Sequence, residues 1–156
     1  MEYLKELTNL LPLLGHRNWI LVVDKAYPLQ SSQGISYLNS GEDLNIVLKE
    51  VFNLLEKAPH LRPIIYLDKE LEFMDEELCA RVSDFKIKCR NTCSSYALRQ
   101  IPHEEIFRKL DEAARLFNVV VIKTESLIPY TSVFIELDCG YWSESLEKSL
   151  RSKFNL

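Results

Sequence analysis

Apolar positions along the chain fall into two kinds of run, one with helical spacing and one without interruption. Leu4, Leu7, Leu11 and Leu14 recur every three or four positions and predict an N-terminal helix, with Gly15 placed to end it in the left-handed conformation. Trp-Ile-Leu-Val-Val-Asp at 19–24 is apolar without alternation, which suits a strand covered on both faces of a sheet. Pro28 and the stretch Gln30-Ser-Ser-Gln-Gly34 predict a loop. Ser40-x-x-Asp43 resembles a helix-start box, and Leu44, Val47, Leu48, Val51, Leu54 and Leu55 trace one apolar face behind it until Pro59. Pro63-Ile-Ile-Tyr-Leu-Asp68 reads as a further buried strand, followed by an acidic segment from Asp75 to Val82 that reads as helical. Ser83 to Thr92 fits neither repeat.

Tyr96 to Ile101 predicts another strand, and Pro102 then suits the first position of a helix whose buried stripe is Ile106, Leu110, Ala113 and Phe117. Val119–Ile122 and Val133–Leu137 predict two late strands on either side of a Pro-Tyr turn. Helix and strand alternate throughout, so the expected class is α/β, a sheet with helices packed on its faces.

The length changes this picture only by limiting it: 156 residues suffice for one domain, 1–156, with a real core. The balance of 19 basic and 23 acidic residues, net −4, offers no Lys/Arg stripe for a run of phosphates, which argues against nucleic acid as a partner. No apolar run reaches the roughly 18–20 residues a membrane span needs, and the acidic, amphipathic start of the chain does not resemble a leader. The expectation is a soluble cytoplasmic protein without a membrane partner. In that compartment Cys79, Cys89, Cys93 and Cys139 are expected as free thiols. Cys89 and Cys93 would share a helix face, but no second Cys or His pair completes a zinc set, so no metal is expected. With four glycines and no glycine-rich loop, no nucleotide cofactor is expected either.

Three segments together resemble the family of D-ribose pyranase and L-fucose mutarotase. The most specific is Leu14-Gly15-His16, the apolar strand, and Asp24-Lys25-Ala26-Tyr27-Pro28, similar to the family's Leu-Gly-His, strand, Asp-Ala-x-x-Pro pattern. His103-Glu-Glu-Ile-Phe107 is similar to a His-Glu-x-Phe helix start in the pyranase branch. Lys123-Thr-Glu125 with Pro129-Tyr130-Thr-Ser132 looks like the Thr/Ser-Gly-Glu and Pro-Tyr-x-Asn loop ahead of the last strand. Order and spacing agree along nearly the whole chain. The departures are Lys25 within the Asp-Ala turn, Ser132 in place of Asn, Ser36 near where the family carries an acidic residue, and a segment between His103 and Tyr130 longer than in the pyranase pattern.

The resemblance implies a cofactor-free isomerase that interconverts ring or anomeric forms of a pentose, hexose or deoxyhexose. It also implies homo-oligomeric rings, a decamer among them, with sites between adjacent subunits. Exchanging the ring form of a hemiacetal moves one proton off the anomeric hydroxyl and one onto the ring oxygen, and imidazole does this best near neutral pH. His16 is the general acid by resemblance; as read from the sequence, it follows a helix C-terminus, whose partial negative charge favours the protonated ring. Asp24 ends the first strand at the sheet edge where ligands of open α/β sheets usually sit. Tyr130 offers a hydroxyl and a ring face to a sugar, and with His16 and Asp24 completes the candidate catalytic set. His103 and Ser132 join Asp24 and Tyr130 as candidate sugar contacts.

Each residue also has a plainer reading. His16 could satisfy carbonyls at the helix end, Asp24 could be a turn or cap residue, His103 an exposed first-turn residue and Tyr130 a turn aromatic at a core edge. Glu125 is expected to be structural. The principal rival function is a sugar-binding or transport-associated homologue without catalysis, and a third is a purely structural or interaction role.

Overall fold

The computed structural model describes residues 1–154. Six strands form one sheet in the order β2-β5-β1-β6-β3-β4. They are β1 (Trp19–Val23), β2 (Ile35–Asn39), β3 (Leu61–Asp68), β4 (Ala97–Ile101), β5 (Val119–Lys123) and β6 (Val133–Cys139). Strand β6 alone runs against its neighbours: it pairs antiparallel with β1 and β3, while β1–β5, β2–β5 and β3–β4 are parallel. The carboxyl ends of β1 to β5 therefore share one edge of the sheet with the start of β6.

All five residues of β1 are buried, as an unbroken apolar run requires of a strand covered on both faces. On one face lie α1 (Glu2–Leu10), α2 (Leu44–Glu56) and α3 (Val82–Cys93), whose Leu7, Val47, Leu48, Val51, Val82 and Cys89 join Ile20, Val22, Ile65 and Ile135 in the larger core. On the other lies α4 (His103–Leu116), which sets Ile106, Leu110 and Ala114 against Leu21, Val23, Val121 and Phe134. A final helix, α5 (Glu144–Phe154), has no buried residue.

The predicted class holds, and so do the principal strands and helices; several local expectations do not. Gly15 is not left-handed; the positive φ nearby belongs to Arg17, at 76°. Helix α1 ends at Leu10 and a 3-10 turn, Leu11–Leu13, carries the chain on. The cap of α2 is Asp43, whose carboxylate accepts the Asn45 N–H, whereas Ser40 donates its hydroxyl to the Lys123 carbonyl. Residues 75–81 form turns and the helix occupies the unassigned stretch, starting at Val82, where the Glu76 carboxylate accepts the Arg81 and Ser83 N–H groups. Pro102 is the N-cap of α4, not its first helical residue, and Phe117 is its half-buried C-cap. Strand β2 and helix α5 carry no signal strong enough to predict them. Cys89 and Cys93 do share the inner face of α3, and all four cysteines are free. Among the described residues no helix is long and apolar enough to cross a membrane.

Candidate functional site

Asp24 and Asp68 sit at the same edge because the strands that deliver them run the same way. Val22 and Leu67 both pair with Val133, one on each side of β6, so the residues that end β1 and β3 flank Ser132 just before β6 begins. The Ser132 hydroxyl donates to Asp24 Oδ1 at 2.7 Å and accepts the Asp24 N–H at 3.1 Å. A hydroxyl has one hydrogen to give, so Ser132 orients the carboxylate and keeps no donor for a ligand. Behind it Thr124 donates its hydroxyl to the Val23 carbonyl at 2.7 Å and Lys25 N–H donates to the Ser126 carbonyl at 2.8 Å, tying the loop after β5 to the end of β1. Lys25 and Glu125 form an exposed ion pair.

Strand β4 ends at Ile101, level with Asp68, and hands the chain directly to His103 at the start of α4. His103 Nδ1 lies 2.8 Å from Asp68 Oδ1. Asp68 is 1 % exposed, and its other carboxylate oxygen has no partner among the described residues. Burial pushes this carboxyl up to about 6 from the usual 3.8; the hydrogen bond and charge of His103 oppose the shift, and the neighbouring Glu70 and Asp24 charges add to it. The His103 ring meets the edges of Phe107, Tyr130 and Phe134 at centroid distances of 4.5, 5.7 and 6.4 Å. With Nδ1 on Asp68, Nε2 is the nitrogen left for a ligand, the arrangement by which a carboxylate fixes an imidazole's tautomer and aim. Tyr130 stands over this ring, 40 % exposed, at φ +60°. A left-handed tyrosine costs on the order of 1 kcal/mol, a strain that clusters at binding and catalytic positions.

His16 lies elsewhere. It precedes β1 at the amino edge of the sheet, where its Nδ1 is 2.9 Å from Asp138 Oδ1 near the end of β6. Arg62, near the start of β3, donates to the other oxygen of Asp138 at 2.6 Å. Partial burial pushes the Asp138 carboxyl up, but the bond and charge of Arg62, the Cys139 N–H and His16 together hold it below its ordinary range. The three side chains line a basin of about 720 Å³ with Arg99, Tyr141 and Trp142. The five residues of β1 alone span about 16 Å, so within one chain His16 does not reach Asp24. Within one chain His16 is partnered by Asp138, and Asp24 by Ser132.

A scan against protein-family models and a search of curated proteins found no match. Solved structures do match over most of their length. RbsD of Bacillus subtilis, solved with D-ribose, superposes with a TM-score of 0.58 at 20% identity over 85% of this chain and 91% of its own. The fucose mutarotase of Streptococcus pneumoniae, solved with L-fucose, gives 0.57 at 12% over 85% and 91%. FucU of Bifidobacterium longum gives 0.56 at 14% over 86% and 94%. The chain has the RbsD and FucU fold.

Within the RbsD and FucU fold, four of the five residues singled out from sequence, Asp24, His103, Tyr130 and Ser132, come to one edge, and His16 does not. Sequence reasoning missed Asp68 and Glu70 there, and Asp138 and Arg62 around His16. A signal for Asp68 was present: like Asp24, it is an acid that closes an apolar strand. Ser36, where the family pattern places an acid, is exposed on the edge strand β2 of the fold. Among the described residues no group of three or more His, Cys, Asp or Glu side chains gathers as a metal centre.

Proposed function

We propose that this chain belongs to the D-ribose pyranase and L-fucose mutarotase family and interconverts ring or anomeric forms of a free monosaccharide by acid–base catalysis, in a site completed by a second copy. The observation that carries this reading is the placement of the Asp24–Ser132 and Asp68–His103 pairs beside the start of β6 at the carboxyl edge of the sheet, with Tyr130 against the His103 ring. The fold's likeness to structures holding D-ribose and L-fucose supports a sugar as the ligand.

His103 Nε2 takes the proton of the anomeric hydroxyl, whose electron pair becomes the carbonyl bond as the bond from the anomeric carbon to the ring oxygen breaks. An acid delivers a proton to that oxygen. The open aldehyde turns, a hydroxyl adds to its other face or from another carbon, and the protons return. Asp68 steadies the charge that His103 acquires. Asp24, with Oδ1 held by Ser132, offers Oδ2 to a sugar hydroxyl, and Tyr130 adds a hydroxyl and a ring edge. His16 supplies the acid from a neighbouring copy, whose amino edge docks against this carboxyl edge. Head-to-tail contacts of that kind close into rings, the assembly the resemblance implies.

The test is exchange spectroscopy by NMR on a panel of free pentoses, hexoses and deoxyhexoses with the protein at catalytic concentration. Accelerated exchange for at least one sugar is expected. Mixing H16A and D68N subunits should restore activity to about a quarter of wild type, because random neighbours unite two intact halves at that frequency. Broadened sugar signals without acceleration would instead favour the non-catalytic binding reading. Ser132 favours that alternative, since its hydroxyl hydrogen is committed to Asp24 where the family pattern carries Asn.

A further inference from the structure

We infer that Glu70 is the positioning residue that sets His103 in this site; the inference rests on the acid–base reading above and adds the element that aims its base. Helix α4 begins without a capping side chain of its own, because its N-cap is Pro102. The first helical N–H, that of His103 itself, is instead accepted by both carboxylate oxygens of Glu70, at 3.0 and 3.3 Å. An open helix start has N–H groups with no partner inside the helix, and a carboxylate there satisfies one of them while complementing the helix dipole. Glu70 performs this from 33 residues away in the chain, so the contact is tertiary.

Asp68 and Glu70 belong to one short stretch. Asp68 closes β3, and Glu70 lies in the 3-10 turn Lys69–Phe73, which buried Leu71 pins into the core. The backbone of His103 is tied to one residue of this stretch and its ring to another, two positions apart. Ring position and ring tautomer are therefore referred to the same rigid end of β3. A base must be held within about 0.5 Å of its productive position, and a misplacement near 1 Å can cost about a hundredfold. The Glu70 charge also contributes to the raised proton affinity of Asp68.

Three full-length variants separate reach from charge. E70A removes the acceptor, E70D keeps the charge on a side chain one methylene shorter, and E70Q keeps the length and one acceptor oxygen. The first readout needs no sugar: the low-field proton NMR signal of the His103 Nδ1–H held by Asp68. E70A and E70D should broaden or lose it by opening the ring to solvent, with the rest of the amide spectrum unchanged, and E70Q should keep it. The second readout is sugar exchange, where kcat should fall about tenfold in E70A and E70D with KM within about twofold, and E70Q should stay near wild type. An unchanged signal and rate in E70A overturn the inference. So does retention in E70D with loss in E70Q, since charge rather than reach would then govern. If wild type accelerates no sugar, the acid–base reading fails, while the low-field proton still decides whether Glu70 holds the ring.

Discussion

Replacing Asp68 by asparagine should stabilise the protein at neutral pH while disabling it. The carboxyl is 1 % exposed and its proton affinity is raised from the usual 3.8 to about 6, with burial the largest cause. A folded-state pKa above the unfolded one means that the native state binds the proton more tightly. The stabilisation this gives is fully present below about 4 and is lost as pH rises through about 6. A shift of roughly two units corresponds to about 3 kcal/mol of folding free energy, present at pH 4 and absent at pH 7. The amide of D68N does not ionise, and near pH 4 it is almost isosteric with the protonated acid, so the two proteins should then unfold alike. Urea titrations at pH 4, 5, 6 and 7 should show the D68N advantage growing to about 3 kcal/mol, most of it between pH 4 and 6. Titrating groups that do not interact with Asp68 are common to both proteins and cancel in the difference. An amide cannot offer the charge that steadies a protonated imidazole, so sugar exchange should fall on the order of a hundredfold in the more stable variant. A difference that stays flat across this pH range would refute the assignment of a strained, buried ionisation to Asp68.

H16A removes a side chain that is 57% exposed, so stability should move by no more than about 0.5 kcal/mol, while sugar exchange by NMR falls on the order of a hundredfold. I106A empties a fully buried site between α4 and the sheet and should cost about 2–5 kcal/mol in chemical denaturation. G140A would bring a methyl within 2.2 Å of the Pro59 carbonyl oxygen and should destabilise by about 1–3 kcal/mol, read as a fall in Tm. S132A leaves Asp24 without its hydroxyl partner and should weaken sugar binding about tenfold in ligand titrations by NMR, with the fold retained.

What was legible in the sequence was what local chemistry dictates. Strand β1 announced itself because burial on both faces demands an unbroken apolar run, and α2 and α4 because each lays one stripe on the sheet. Strand β2 was hidden: it lies at the sheet edge and buries only Leu38, so neither a run nor a clear alternation marks it. The start of α3 was hidden for a different reason. Its N-cap is Arg81 in the left-handed conformation, and the capping carboxylate comes from Glu76 in the preceding turn. The four clustered site residues were readable as polar groups that end or precede regular elements. Their partners were not, because the pairing of His103 with Asp68 depends on which strands become neighbours. The separation of His16 from Asp24 comes from the direction of β1, which carries the chain from the amino edge of the sheet, where His16 stays, across to the carboxyl edge, where Asp24 emerges.

Strand β6 links the two halves of the proposed machinery like a ruler, with Ser132 just before its first residue and Asp138 one residue before its last. Side chains alternate along it, Phe134, Glu136 and Asp138 on one face and Ile135 and Leu137 on the other. Inserting one residue would turn everything beyond it over, burying the carboxylate that holds His16 and expelling a core leucine. The separation between the Asp24 edge and the His16 edge is thereby fixed inside the chain by the length of a single strand.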